Sequence, residues 1–180
     1  MTGLFDFAID GWRIMSAVGS LPNIYADYAE HAVLCEEFDL TNSEGDLCFL
    51  GVAEGTQPWP SIVIAQRYEP AAASGFNPGA LIVPSTGMLF VGAGTRLLAY
   101  DLQTPRRTWQ RRTEVGFWSW SRHGAYVLMS AELELAAWTL TGRKLWSQFV
   151  EPPWEYMVLD DTVHLDVMGK NTSFSISSGP

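Results

Sequence analysis

His164 and Asp166 stand two residues apart in "TVHLDVM", a segment that alternates apolar and polar residues. In a strand that spacing puts both side chains on one face. An imidazole beside a carboxylate can act as an oriented general base or as half of a metal site. Either chemistry needs a nucleophile or a third ligand. No serine of the sequence sits in a nucleophile-elbow context. The two cysteines, Cys35 and Cys48, make no zinc site on their own. His164 and Asp166 therefore read as a surface or interface pair, with hydrolase-like chemistry as the alternative. His123, in "SRHGAY", reads as a solvated turn residue. His31 follows Glu30 with no partner in view. No cofactor and no metal are expected, and the reading leans away from an enzyme.

The aromatic residues offer binding chemistry instead. In "GFWSWS" alternation places Trp118 and Trp120 on a common face, a stacking platform for a small ligand or carbohydrate. The competing reading is core packing. In "EPPWEY" the pair Pro152-Pro153 stiffens a loop, and Trp154 and Tyr156 share a face. Exposed aromatics on a rigid loop make good anchors for a protein partner. "VGAG", with Gly92 and Gly94, reads as a hairpin turn, because neither a helix nor a Lys-Ser/Thr pair follows to cradle a phosphate. Arg106, Arg107, Arg111 and Arg112 around Trp109 read as solvated charge, or as contact with an acidic patch on a second copy.

Charge is unevenly spread. Residues 1–69 carry 11 acids against Arg13 and Arg67, and the whole chain has a net charge of −9. Residues 96–144 carry eight bases and four acids. An acidic surface argues against nucleic acid. It suits a basic protein partner, with Glu36, Glu37 and Asp39 as the candidate contact face. The start "MTGLFDFAIDGW" is acidic rather than basic, and no apolar run reaches the length of a membrane span. A bacterial-type cytoplasmic protein with reduced thiols is expected; export would make a Cys35–Cys48 bridge feasible.

These residues must be positioned by strands. Apolar residues make up 47% of the 180-residue chain, charged residues 17%, and it holds eight Trp, nine Phe and six Tyr. That mixture favours an all-β domain with a sizeable core. Residues 1–30 read as an irregular lead-in with a short helix around Tyr25, Tyr28 and Ala32. From residue 31 period-2 segments follow one another, separated by short turns and one long connection, 71–79. The starts "ALIVPS", "GFWSWS" and "WEYMVL" are 36 and 38 residues apart. "LLAYDLQTPRRTW" and "LAAWTLTGRKLW" repeat one pattern, with Tyr100 matching Trp138 and Trp109 matching Trp146. A period near 40 with four strands per unit indicates propeller blades. The expected organisation is a single domain with a degenerate first blade over 31–79 and repeats over 80–112, 113–150 and 154–178. A two-layer sandwich or open curved sheets are the alternatives, and open sheet edges would invite homodimerisation.

The repeat resembles the blades of quinoprotein-like (PQQ-type) propellers, whose units end in a stretch similar to A-x-D-x-x-T-G-x-x-x-W. Ala99, Asp101, Thr104 and Trp109 match in one copy; Ala137, Thr141, Gly142 and Trp146 match in the other. The resemblance implies blade architecture over about residues 80–168. It also extends to small bacterial proteins of this kind, for which it implies no activity. The quinone- and calcium-binding residues of the family's enzymes have no counterpart here. The function expected is a non-enzymatic protein-binding module, such as an immunity-type protein capping a basic partner.

Overall fold

β-branched and aromatic residues alternate with polar ones between short Gly- and Asp-bearing turns, so the chain folds as consecutive antiparallel hairpins. The structure, a computed structural model, describes residues 4–69 and 77–180, so residues 71–76 of the expected long connection lie outside the described residues. Blade 1 comprises β1 (Phe5–Ile9), β2 (Trp12–Val18), β3 (Leu34–Phe38), β4 (Asp46–Glu54) and β5 (Ile62–Tyr68), with helix α1 (Tyr25–His31) between β2 and β3. Blade 2 holds β6 (Gly79–Val83), β7 (Met88–Ala93), β8 (Arg96–Asp101) and β9 (Arg106–Arg112). Blade 3 holds β10 (Phe117–His123), β11 (Tyr126–Ala131), β12 (Glu134–Thr139) and β13 (Lys144–Phe149). Blade 4 holds β14 (Trp154–Leu159), β15 (Thr162–Val167) and β16 (Lys170–Ser175).

Blades 2 to 4 are antiparallel meanders in chain order, whereas blade 1 runs β1-β2-β4-β5-β3. The excursion through α1 and β3 is thus an insertion between the second and third strands of an otherwise ordinary blade. β3 pairs in parallel with β5 on the outer edge. This corrects the expected irregular lead-in over 1–30. Residues 5–18 form a hairpin turned at Asp10 and Gly11, both at positive φ, with Ile9 facing Trp12. Asp-Gly is a favoured two-residue hairpin turn.

The blades stack through alternating apolar faces. Ile14, Val52, Ile62 and Ile64 of blade 1 meet Leu89, Val91, Leu98 and Tyr100 of blade 2. Phe90, Leu97 and Ala99 of blade 2 meet Phe117, Met129 and Trp138 of blade 3. Leu128, Leu135 and Ala137 of blade 3 meet Trp154, Val163 and Leu165 of blade 4. The other face of blade 1, with Met15, Phe49 and Val63, is covered by Tyr28 of α1. Among the described residues no core cluster joins blade 4 to blade 1. The described residues form four sheets stacked like propeller blades.

The sequence repeat is a repeated joint. The Trp109 indole N–H donates to Gly142 O at 2.8 Å, in the turn after β12 of the next blade. The Trp146 indole N–H donates to Ile176 O at 2.7 Å, in the turn after β16. Trp109 stacks at 6.0 Å on Trp138, and Trp146 meets Phe174 edge-on at 5.4 Å. Both donor strands carry a register shift against their inner neighbour beside the indole. A side-chain oxygen ends each third strand and ties the turn that follows. Asp101 accepts from the N–H groups of Gln103 and Thr104, Thr139 from that of Arg143, and Ser175 from that of Ser177.

Candidate functional site

Blade stacking consumes the aromatic residues that sequence spacing marked for binding. Trp154 begins β14 and is buried; its indole N–H donates to Glu132 O at 2.9 Å, and its ring stacks on Trp118 at 5.0 Å. The Tyr156 hydroxyl lies 2.8 Å from Ser121 Oγ, and burial raises its pKa. The pair is therefore part of the joint between β10 and β14, not an exposed loop anchor. Trp118 and Trp120 do not share a face. A β-bulge between Phe117 and Ser119 shifts the phase of β10, so Trp118 packs toward blade 4 and Trp120 toward Phe90 and Trp138 of the other seam. That removes the double-indole platform. His123 is half-buried at the end of β10 rather than solvated, with Nε2 3.1 Å from Ser121 Oγ, and desolvation lowers its pKa.

His164 and Asp166 do lie on one face of β15, the outward face of blade 4, but they do not act together. His164 Nδ1 is 2.9 Å from Ser173 Oγ, while Asp166 Oδ1 accepts the Gly169 N–H at 2.7 Å. Gly92 lies within β7, not in the turn; only Gly94 has the positive φ of a turn residue. The candidate acidic face is largely engaged within the chain. Glu36 forms an ion pair with Arg107 at 3.0 Å and accepts the Tyr100 hydroxyl at 2.7 Å. Asp39 pairs with Arg96 at 2.6 Å, and Glu37 accepts from Tyr25 at 2.5 Å. The Arg96 hydrogen bond holds the Asp39 carboxyl below its usual pKa. Arg96 and Arg107 also lie over the Phe38 ring, sealing the outer seam between blades 1 and 2. Cys35 and Cys48 are both free and lie on β3 and β4, with β5 between them. Two strand spacings exceed the reach of a disulfide.

Several concavities remain among the described residues, one of about 280 Å³ beside Arg112, Glu114 and Glu134, and two of more note. A charged cleft of about 530 Å³ is lined by Arg67, Arg96, Arg112, Asp39, Glu44 and Glu114. Both signs face it, and Arg96 and Asp39 already satisfy each other. The second is an apolar groove of about 260 Å³ at the inner mouth between blades 1 and 2, lined by Phe7, Ile9, Ile14, Val18, Leu50 and Leu81 among others. β1 is the inner edge strand there. Its alternate residues Phe5, Phe7 and Ile9 are 67%, 49% and 44% exposed, and Val18 beside them is also exposed. Sequence reading passed over this stripe because "FDFAI" lies in the segment taken as irregular, although its period-2 pattern was available.

No protein-family model and no curated protein matches this sequence. Among solved structures, the chain is similar to HIRA(644-1017) at 11% identity and a TM-score of 0.52, covering 98% of this chain and 51% of that one. Kluyvelomyces marxianus Hsv2 gives 6% identity, a TM-score of 0.40 and coverage of 91% and 46%. KlHsv2 with loop 6CD replaced by a Gly-Ser linker gives 9% identity, a TM-score of 0.32 and coverage of 54% and 34%. The chain spans about half the length of the first two and a third of the last. The likeness to HIRA(644-1017) agrees with the geometry on one point, the fold: four sheets stacked like blades of a β-propeller.

Proposed function

We propose that this chain is a non-enzymatic protein-binding module that takes an extended apolar segment of a partner at the inner mouth of blades 1 and 2. The exposed Phe5–Phe7–Ile9 stripe above an apolar groove carries the reading. Contiguous exposed apolar surface rimmed by polar groups is the mark of an interaction site. Among the described residues β1 also presents an unpaired backbone edge, so a partner strand can add to it while its alternate side chains enter the groove. The propeller fold, commonly a protein-binding scaffold, supports the reading. So does the quinoprotein-like blade motif, which comes here without the residues of that family's chemistry. The partner segment carries basic flanks. Residues 1–69 hold 11 acids and two bases, and Asp10 follows the stripe, whereas Asp6 within it is paired with Arg13. This retains the capping of a basic protein, with the contact moved from Trp154 and Tyr156 to β1.

The test uses immobilised nine-residue peptides with alternating Val and Thr and terminal Lys residues, read by interferometry. Replacing Phe5 and Phe7 by Ser removes apolar burial of about 1.5–3 kcal/mol per ring. Retention of the best peptide is expected to fall at least about tenfold. Equal retention by the native chain and the double variant would refute the assignment.

A further inference from the structure

The charged cleft between blades 1 and 2 holds about 530 Å³. Its lining comes from the β3–β4 loop with Asp39 and Glu44, the end of β5 with Arg67 and Glu69, the β7–β8 turn, and Arg112 and Glu114 where β9 leads to β10. Hydrogen bonds fix the last two of these to each other. The Thr113 N–H donates to Thr95 O at 2.9 Å, the Phe117 N–H to Gly94 O at 2.7 Å, and the Thr113 hydroxyl to Val115 O at 2.7 Å. The volume falls in the range of about 300–1,000 Å³ that takes a drug-sized ligand. Tyr68 and Ala93 line the cleft, Cys48 lines the apolar groove at β1, and the three pack together, so the two sites are neighbours.

A lining of both signs would ordinarily neutralise itself. Here it does so once: Asp39 pairs with Arg96 at 2.6 Å, and the Arg96 side chain is only 9% exposed. Glu44, Glu69, Glu114 and Arg112 are exposed and Arg67 is half-buried, and none of these five forms an ion pair among the described residues. Arg67 directs one amino group to Gly45 O at 2.7 Å, and the Nε groups of Arg67 and Arg96 have no acceptor. Opposite charges therefore face the same opening without meeting. A simple anion entering it is repelled by the carboxylates, and a simple cation by the guanidinium groups. A guest that carries both signs bridges them. Three free carboxylates against two free guanidinium groups leave an excess of one negative charge, so the fitting guest combines one carboxylate with a surplus of cations.

We propose that this cleft binds the C-terminal end of a basic peptide. The terminal carboxylate meets Arg67 and Arg112, and the side-chain cations of the last residues meet Glu44, Glu69 and Glu114. The Arg96–Asp39 pair stays as it is. A guanidinium group offers a carboxylate parallel charge-assisted hydrogen bonds, about twice as strong as neutral ones. Capture of a chain's terminal carboxylate is a recurring mode of peptide recognition. The site goes beyond the groove at β1 and does not rest on it.

The probe is the peptide Gly-Gly-Ser-Lys-Lys, dye-labelled at its N-terminus and ending in either a free carboxylate or an amide. Each form is titrated with the 180-residue chain at low salt and read by fluorescence anisotropy. The sign of the difference is diagnostic. The amide is the more positive peptide, so attraction to a chain of net charge −9 alone favours the amide. A site that reads the carboxylate favours the acid, by at least about tenfold. Arg112→Gln should erase that preference with the urea midpoint unchanged, since the side chain is exposed and forms no ion pair. Glu69→Gln combined with Glu114→Gln should weaken both peptides. Replacing Phe5 and Phe7 by Ser should leave the preference intact, because the probe has no apolar side chain for the groove. Equal or tighter binding of the amide overturns the proposal, as does no binding of the acid up to about 1 mM. So does a preference that survives Arg112→Gln or vanishes with Phe5 and Phe7, or an affinity that the two Glu→Gln changes leave unaltered.

Discussion

Gly79 and Gly92 face each other across β6 and β7, and together they form a notch that receives the Phe117 ring from blade 3. A methyl group added at Gly92 would stand 2.5–2.6 Å from three atoms of that ring, about 1 Å inside ordinary contact. The ring has no room to withdraw. Phe117 is 2% exposed, its N–H bonds Gly94 O at 2.7 Å, and Trp120 lies behind it at 5.7 Å. Overpacking of this kind costs about 1–3 kcal/mol. Ala restricts the unfolded chain more than Gly and recovers about 0.4–1 kcal/mol. The steric effect wins, so Gly92→Ala should lose about 1–2 kcal/mol, read as a urea midpoint by circular dichroism, with a melting temperature lower by about 2–8 °C. The decisive measurement is a double-mutant cycle with Phe117→Leu. In that background the methyl has space, and most of the Gly92→Ala penalty should vanish. A coupling below about 0.5 kcal/mol, the usual error of additivity, would refute blade 2 to blade 3 stacking through this notch.

Two further outcomes follow from the titrating and thiol groups. Desolvation lowers the His123 pKa, so above the unfolded value of 6.5 the ring is neutral in both states; as pH falls below it the unfolded chain binds the proton first and stability drops. Urea midpoints between pH 7.5 and 5 should show that slope, and His123→Gln should flatten it. The carboxyls of Asp6, beside Arg13, and Asp39, beside Arg96, are lowered too, so their contribution persists to about pH 4 and is lost only below it. Burial pushes the Cys48 thiol up to about 12; partial desolvation raises the Cys35 thiol too, but Cys35 is exposed to reagent and Cys48 is not. Iodoacetamide at pH 8 should therefore add one adduct to the folded chain and two in urea, counted by mass spectrometry; two adducts without urea would contradict the burial of β4.

Legibility in the sequence follows the range of the interaction. The joint at Trp109 and Trp146 was readable because the same local needs recur: a turn-tying oxygen, a small residue, an indole. The hairpin at Asp10-Gly11 was equally local, yet the inserted α1 and β3 interrupted the blade and hid its first two strands. Phase was the weak point. One bulge residue in β10 sends Trp118 and Trp120 to opposite seams, and alternation alone cannot show a bulge. The acidic residues were counted correctly, but their partners lie far along the chain. Arg96 reaches Asp39, and Tyr100 and Arg107 reach Glu36, across a blade seam that only tertiary structure creates. Gly92 illustrates the same limit: its role exists only once Gly79 is beside it and Phe117 above it.

Blade stacking explains why binding is assigned to an edge and a mouth rather than to the buried blade faces. A sheet with two apolar faces needs a cover on each, and stacked repeats supply it until a terminal unit turns a polar face outward. At blade 1 the cover is α1, whose Tyr28 stacks on Phe49 at 5.9 Å. The inward residues Trp154, Val163 and Leu165 of blade 4 are buried, while the outward face mixes Glu155, Thr162, His164, Asp166 and Ser173 with the exposed Met157 and Leu159. The seams between are filled by the aromatic residues that would otherwise make the best ligand platforms. What blade stacking cannot cover is a strand edge, because stacking buries faces and leaves the hydrogen-bonding rims free. All four outer rims carry charge, Glu36 and Glu37 on β3, the four arginines on β9, Lys144 on β13 and Lys170 on β16, whereas β1 on the inner rim carries an apolar stripe.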